Sequence, residues 1–209
     1  MTAATLILTV LGGLIGLEWL LRNCFALHVW RRVFHITPES PGYSAAEKPP
    51  LLSVVVPARD EESHIGACLA SLLGQDYPNF EILAVDDRSS DRTGEIIEAM
   101  SRRDGRIRLL RVTELPPGWA GKTHALQQGI AAAGGEYLCL SDADGRMTHP
   151  RTLSIAMEHA RTKQADLLSL LPKLVLGGFW ERFLLPICAG VLMIWFSPKR
   201  VNDPARKTA

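Results

Sequence analysis

Short apolar runs alternate with segments of helical spacing through the middle of this chain, and this alternation restricts the fold more than any other feature. The valine-rich run LLSVVV precedes Pro57, and a segment with apolar residues at helical spacing follows it. The predicted order is strand 51–56, helix 61–73, strand 81–85, helix 91–103, strand 107–112, helix 122–133, strand 136–140, helix 150–163 and strand 166–171. Strands that alternate with helices predict an α/β fold with a mostly parallel sheet flanked by helices.

Acidic residues follow three of the predicted strands directly. They form the clusters Asp60–Glu61, Asp86–Asp87 and Asp142–Asp144. Ligands of open α/β sheets bind outside the carboxyl ends of the strands. We therefore expect the three clusters to converge at one edge of the sheet, as a binding site.

Asp142 and Asp144 belong to a D-A-D sequence at the end of the fourth strand. Mg²⁺ and Mn²⁺ bind one or two protein carboxylates and complete their coordination with phosphate oxygens and water. A metal that bridges a diphosphate offsets the charge that develops as the diphosphate leaves. The short motif alone is common by chance, so its position after an apolar strand carries the prediction of a metal site.

Two further loops carry residues suited to a nucleotide. In DDRSSDRT, Asp86 and Asp87 are placed to accept hydrogen bonds from a base or ribose, whereas Asp91 is placed to cap the next helix. The alternative for Asp86 and Asp87 is turn formation alone. Lys122, in GWAGKT at the start of a helix, is suited to a phosphate, with a solvated surface lysine as the alternative. The glycine spacing excludes a Walker A loop and hence an ATPase of that type.

The N-terminal segment Thr2–Leu21 is almost wholly apolar and, at 1.5 Å per residue, about 30 Å long as a helix. Arg22, Arg31 and Arg32 follow it, which predicts an uncleaved single-pass anchor in the cell inner membrane with the remainder in the cytoplasm. A buried core helix or a removed signal peptide are the alternatives. The predicted divisions are an anchor at 1–24, a linker at 25–50, a binding domain at 51–178 and a membrane-associated region at 179–209.

Residues 179–198 form a second apolar stretch, with aromatic residues near both ends and basic residues beyond it. Its uncharged part is too short for an ordinary span, and Pro186 is expected to kink or interrupt a helix. We expect an interfacial or re-entrant helix; a core helix and a second span are the alternatives. The formal net charge of the whole chain is only +1, which argues against general nucleic-acid binding.

Four ordered motifs together resemble the family 2 glycosyltransferases, which have the Rossmann-like GT-A fold. The motifs are VVVPARDEE at 54–62, AVDDRSSDRT at 84–93, GWAGKTHALQQG at 118–129 and SDAD at 141–144. The third motif resembles that of a membrane-associated subgroup of this family, the hopanoid-associated and carotenoid glycosyltransferases. This resemblance implies a sugar nucleotide donor, a lipid or polyprenoid acceptor and inversion at the anomeric carbon.

The resemblance also implies roles for individual residues. Pro57, Ala58 and Glu61 would line the nucleoside pocket, and Asp86 or Asp87 would contact the uracil or ribose of a UDP-linked donor. Lys122 would lie near the base or diphosphate. Asp142 would approach the sugar or ribose, and Asp144, together with Asp142, would hold Mg²⁺ or Mn²⁺.

The later motifs of the resembled family are not found after Asp144. These are an E-D pair that supplies the general base and a Q/R-x-x-R-W element. Because the acceptor hydroxyl must lose its proton during transfer, we expect a donor-binding, C-terminally truncated chain with little turnover and no assigned catalytic base. Open alternatives are a non-catalytic sugar-nucleotide-binding protein and a transferase acting on a polysaccharide or polyprenyl phosphate. The sequence PARDEE after the first strand argues against a nucleotidyltransferase.

Overall fold

The computed structural model describes residues 2–30, 37, 39–43 and 48–195. The chain divides into two compact units, one made of residues 1–35 and 173–209 and the other of residues 36–172. The elements are α1 Ala3–Trp30, β1 Leu52–Ala58, α2 Ile65–Leu73, β2 Phe80–Asp87, α3 Thr93–Ser101, β3 Ile107–Val112, α4 Gly121–Ala132, β4 Tyr137–Leu140, α5 Thr152–Lys163 and α6 Phe179–Trp195.

The larger unit contains a four-stranded sheet in the order β3-β2-β1-β4, and every neighbouring pair is parallel. Parallel neighbours need crossover connections, which the intervening helices provide. This arrangement confirms the α/β fold with helices on a parallel sheet. It also brings the carboxyl ends of all four strands to the same edge.

Both faces of the sheet are covered, because alternate residues of β1 and β2 face opposite sides. Val54, Val56 and Ile82 belong to a core cluster with α2, α3 and α5, whereas Val55 and Leu83 belong to a second cluster with α4. All five of these side chains are fully buried. Burial on two faces explains why these strands read as continuous apolar runs rather than alternating ones.

Two strands extend further than the sequence predicts. β1 continues through Pro57 to Ala58, and β2 continues through Asp86 to Asp87. Pro57 is tolerated because β4 pairs only with Leu52–Val55, so the proline lies beyond the end of that ladder. The site residues of these two strands are therefore held by the sheet itself rather than by flexible turns.

The strand predicted at residues 166–171 is wrong. All six residues are described, and none lies in a strand. Leu167 and Leu171 are exposed, at 88% and 80%. An apolar pattern indicates which residues favour a sheet, but a strand also needs a hydrogen-bonded neighbour, and β4 is the outermost strand of the described sheet. Tyr137, Leu138 and Leu140 of β4 are exposed as well.

The smaller unit contains α1 and α6, which contact each other. By length and composition, Ala3–Phe25 suffices to cross a bilayer; its mean hydropathy is 1.9 and none of it is buried. A signal sequence would pass the same test. The helix runs to Trp30, past the predicted end of the anchor at residue 24, while Arg31 and Arg32 lie outside the described residues.

The α6 helix begins at Phe179, as predicted, and continues to Trp195. It runs unbroken through Pro186, so the expected interruption is not found. A proline removes one backbone hydrogen bond, and a helix survives this loss where its remaining bonds persist. Phe179, Trp180 and Phe183 form an exposed aromatic cluster on its first turns, with ring centroids 5.4–6.5 Å apart. Residues 196–198 of the predicted segment lie outside the described residues.

Candidate functional site

The site lies at the carboxyl edge of the sheet, where the strand register aligns the predicted clusters. Ala58 at the end of β1 is opposite Asp86 of β2. Where β4 ends, the N–H of Ser141 donates to the carbonyl of Val55 at 3.0 Å, so the D-A-D sequence leaves the sheet beside β1. The three acidic clusters therefore start from neighbouring strands, as the sequence predicts.

Hydrogen bonds between side chains and backbone join the loops after β1 and β2. The carboxylate of Asp60 accepts the N–H and the hydroxyl of Ser90 at 2.7 and 3.0 Å, and these bonds lower the pKa of Asp60. The N–H of Glu61 donates to the hydroxyl of Thr93 at 2.8 Å. Asp91 accepts the N–H of Thr93, the first residue of α3, although the N-cap position is Arg92 and not Asp91 as the sequence predicts. The two loops form one connected wall of the site.

Asp86 and Asp87 are buried, and both form hydrogen bonds or ion pairs with other residues of the protein. Arg88 donates to the two oxygens of Asp87 at 2.8 and 3.2 Å, and the Asp87 side chain is only 4% exposed. Asp86 accepts the N–H of Ser89 at 3.2 Å and lies 3.7 Å from Arg111. In this structure the guanidinium of Arg88 covers Asp87, so a ligand reaches that carboxylate only after Arg88 moves.

The start of α4 packs closely against this pair. A Cβ atom at Gly121 would lie 2.6 Å from Oδ2 of Asp87, 3.1 Å from Nη2 of Arg88 and 3.7 Å from Nη1 of Arg59. Only glycine fits there without displacing the ion pair. The N-cap residue Ala120 makes no side-chain capping bond, so the helix presents its first N–H groups without a capping side chain. Two arginines and an uncapped helix end together suit an anion.

The D-A-D sequence forms a turn that points both aspartates outward. The N–H of Gly145 donates to the carbonyl of Asp142 at 3.1 Å, and the side chain of Ala143 is buried beneath the turn. Asp142 and Asp144 are exposed. Nζ of Lys122 lies 2.6 Å from Oδ1 of Asp142, and the two side chains are 65% and 64% exposed. The third and fourth predicted motifs thus meet directly.

A buried cysteine lies under this turn and is influenced by the surrounding charges. The Cys68 thiol donates to the carbonyl of Asp142 at 3.5 Å. Burial raises its pKa to about 11, and the negative charges of Asp144, Asp142 and Glu61 add to the rise. All three carboxylates therefore act on one buried atom.

Pro57 and Ala58 have different surroundings. Pro57 is half-buried, while Ala58 is 3% exposed and belongs to the core cluster beneath the sheet. The methyl group of Ala58 therefore faces the core. A ligand in the predicted nucleoside pocket would meet the backbone of Ala58 and not its side chain.

The donor atoms at the D-A-D turn fit a hard divalent cation, because both side chains offer carboxylate oxygens. Among the residues that the structure describes, no three His, Cys, Asp or Glu side chains are grouped as a metal site. Two carboxylates with an open side match a cation that takes its other ligands from a diphosphate and water. They do not match a closed structural metal site.

Sequence reasoning missed the role of two arginines and one glycine. Arg59 and Arg88 each come one residue after the end of a strand, at the carboxyl edge of the sheet. This position in the sequence could have indicated that they lie at the candidate site. The close approach of Gly121 to Asp87 joins residues 34 positions apart (121 minus 87), so no local pattern could have indicated it.

Comparison with known proteins finds a family that matches more than half of the chain. Residues 53–189 match the family described as Glycosyl transferase family 2. The glycosyltransferase GlyG of Streptococcus pneumoniae is 33% identical over 118 residues, which are 56% of this chain and 38% of GlyG. A beta-monoglucosyldiacylglycerol synthase of Trichormus variabilis is 30% identical over 116 residues, which are 54% of this chain and 24% of the synthase. This chain thus spans well under half the length of these relatives.

A solved structure shares the fold. The mannosyltransferase PcManGT from Pyrobaculum calidifontis, determined in complex with GDP-Man and Mn²⁺, matches with a TM-score of 0.51 and 27% identity. The match covers 65% of this chain and 39% of that protein. The shared part has the size of the parallel-sheet unit.

Proposed function

Since this chain belongs to glycosyltransferase family 2, we propose that its sheet edge binds a nucleotide-sugar donor and that the whole protein transfers the sugar to a lipid or polyprenoid acceptor with inversion. The observation that carries the proposal is the convergence of the D-A-D turn, Lys122 and the uncapped start of α4. A diphosphate binds to a cation and to fixed positive hydrogen-bond donors. The D-A-D turn offers carboxylate ligands for the cation, and Lys122 and the N–H groups of α4 are the donors.

The proposed donor-binding residues contact different parts of the nucleotide. Pro57, the backbone of Ala58, and Glu61 line the nucleoside pocket, and Asp86 or Asp87 contacts the base or ribose after Arg88 is displaced. The diphosphate binds against Lys122 and the N–H groups at the start of α4. A UDP-linked donor follows from the family resemblance, and the sugar itself is unassigned.

Asp142 and Asp144 hold Mg²⁺ or Mn²⁺ in this proposal. Their exposed oxygens, two residues apart on one turn, support it, as does the Mn²⁺ bound with GDP-Man in the solved neighbour. When bound, the cation offsets the charge that develops on the leaving diphosphate. Asp142 is shared between the cation and the sugar or ribose. No general base for the acceptor hydroxyl is assigned.

The acceptor and the membrane location rest on the smaller unit and on one relative. Ala3–Phe25 serves as a single-pass anchor in the inner membrane, with the sheet unit in the cytoplasm. The exposed aromatic cluster of α6 suits the interface between lipid and water. The matched synthase makes, by its name, a monoglucosyldiacylglycerol, which is a lipid. A polysaccharide or polyprenyl phosphate acceptor is the second candidate within the same fold.

Calorimetry of the detergent-solubilised chain with UDP tests donor binding. We expect UDP to bind in the presence of Mn²⁺ and to bind at least about a hundredfold more weakly after EDTA treatment, because the cation bridges carboxylates and phosphate. GDP serves as the comparison for base preference. Equal UDP binding with and without Mn²⁺ would contradict the metal proposal, and absent binding in both conditions would contradict the donor site.

Release of UDP from UDP-sugars distinguishes a transferase from a binding protein. Donor binding without release in the presence of lipid acceptors favours the alternative of a sugar-nucleotide-binding chain. Release that depends on a lipid acceptor supports the transferase.

Spin labels test the interfacial position of α6. A label on F183C is expected to be more accessible to oxygen than to a water-soluble nickel reagent in liposomes, because an interfacial aromatic position lies among acyl chains. A label on K163C, at the exposed end of α5, is the matched control and should favour the nickel reagent. Cys24 and Cys188 are exposed and are replaced by serine in both variants. Preference for the nickel reagent at position 183 would place α6 in water.

A further inference from the structure

Lys122 occupies the position of a cation at the proposed metal site. Its Nζ lies 2.6 Å from Oδ1 of Asp142, and the exposed carboxylate of Asp144 belongs to the same turn. Without Lys122 the carboxylates would lose their closest positive partner. The ammonium group thus neutralises part of the charge that attracts a divalent cation.

This ion pair is well suited to being exchanged. Both side chains are about two-thirds exposed, and exposed ion pairs contribute little to stability. A lysine also has a flexible four-carbon stem and a compact charge with rotatable donors. The pair therefore separates at small cost when a better partner for the ammonium group is available nearby.

Such a partner is expected beside Lys122 itself. Lys122 is the second residue of α4 and directly follows Gly121, the position that lies near the guanidinium groups of Arg59 and Arg88. A diphosphate drawn to this helix end arrives within reach of the same lysine. The donor therefore attracts Lys122 away from Asp142 and frees that carboxylate.

We propose that Lys122 is the internal counter-ion of Asp142 and moves to the donor diphosphate when a divalent cation takes its place. This inference rests on the proposed donor and metal function. It adds that the cation and the nucleotide bind cooperatively, so that each binds more tightly when the other is present. Each ligand removes one competitor of the other: the diphosphate removes Lys122 from Asp142, and the cation removes Asp142 from Lys122. Such coupling must be reciprocal between the two ligands.

The K122M variant tests the proposal through two affinities that change in opposite directions. Mn²⁺ alone, measured by EPR of the free ion, is expected to bind roughly threefold to tenfold more tightly than in the wild type, since the competing charge is gone. UDP in the presence of Mn²⁺ is expected to bind about tenfold more weakly, since the diphosphate loses a charged donor. An ion pair that serves only to hold the turn would not strengthen Mn²⁺ binding.

Two matched variants complete the test. K122R keeps the charge and should retain Mn²⁺ affinity within about twofold of the wild type. K163M removes the same charge from the exposed end of α5 and should change neither affinity. Thermal unfolding followed by circular dichroism checks that each variant is folded.

The outcomes separate the counter-ion role from the donor function. Unchanged or weaker Mn²⁺ binding by K122M overturns the counter-ion role, even where the wild type binds UDP with Mn²⁺. Tighter Mn²⁺ binding by K122M, with no UDP binding by the wild type, supports the counter-ion role and contradicts the donor function.

Discussion

Replacing Asp144 with alanine is expected to weaken Mn²⁺-dependent UDP binding by about a hundredfold or more. The D-A-D turn offers only two carboxylates, and among the described residues no third His, Cys, Asp or Glu joins them. Asp142 already has Lys122 as a partner, so Asp144 is the carboxylate of the turn without a described ion pair. Losing it leaves the cation a single protein ligand. Changes even to outer partners of metal ligands cost about ten- to a hundredfold in affinity, so a direct ligand should cost more.

Controls for the Asp144 variant separate the metal from the fold. D144N keeps the shape and removes the charge, so it should resemble D144A more than the wild type. D166A changes an exposed aspartate after α5 and should leave UDP binding unaltered. UDP binding in EDTA should be the same for D144A and the wild type, because no cation is present to lose. Mn²⁺-dependent binding retained by D144A would remove Asp144 from the metal site.

Replacing Gly129 with alanine is expected to destabilise the sheet unit by about 2–4 kcal/mol, although alanine favours helices by about 1 kcal/mol over glycine. A Cβ atom at Gly129 would lie 2.3 Å from Cγ1 of Val55 and 3.2 Å from Cγ2 of Val85. Both valines are fully buried in central strands, so neither has space to move. α4 must therefore shift away from the sheet. Urea unfolding followed by circular dichroism measures the change.

A matched glycine and a compensating change make this result specific. G66A lies in α2, where a Cβ atom would be 3.6 Å from Ile96, an ordinary contact, so it should be neutral or slightly stabilising. V55A removes the methyl groups nearest to position 129. The cost of G129A should therefore be smaller in the V55A background than in the wild type, a coupling between contacting residues. A G129A protein as stable as G66A would show that α4 does not pack as described.

The fold and the meeting of the acidic clusters could be predicted because both follow from local patterns. The alternation of apolar runs and helices indicated a parallel sheet, and such a sheet aligns the carboxyl ends of its strands. Hence the sequence predicts that Asp86 and Asp142 lie at the same edge of the sheet. The pairing of Lys122 with Asp142 was not predicted, because it depends on how two loops meet in space.

Two expectations differ from the structure, namely the strand at residues 166–171 and the interruption of a helix at Pro186. Residues 166–171 have the composition of a strand, but pairing depends on a neighbour that no local pattern reveals. The Arg88 side chain folds back onto Asp87, a contact that the sequence pattern does not indicate. Pro186 has the strongest local preference against a helix, yet α6 continues through it.

The hydrogen bonds between the first two loops also have a consequence for biosynthesis. Asp60 and Ser90, and Glu61 and Thr93, are about thirty residues apart, and all precede the end of α3 at Ser101. Nascent chains fold from the N-terminus as they leave the ribosome. One wall of the proposed donor pocket therefore consists only of residues that leave the ribosome before β4 does. The aspartates of the D-A-D turn, which are proposed to hold the cation, are translated after every residue of this wall.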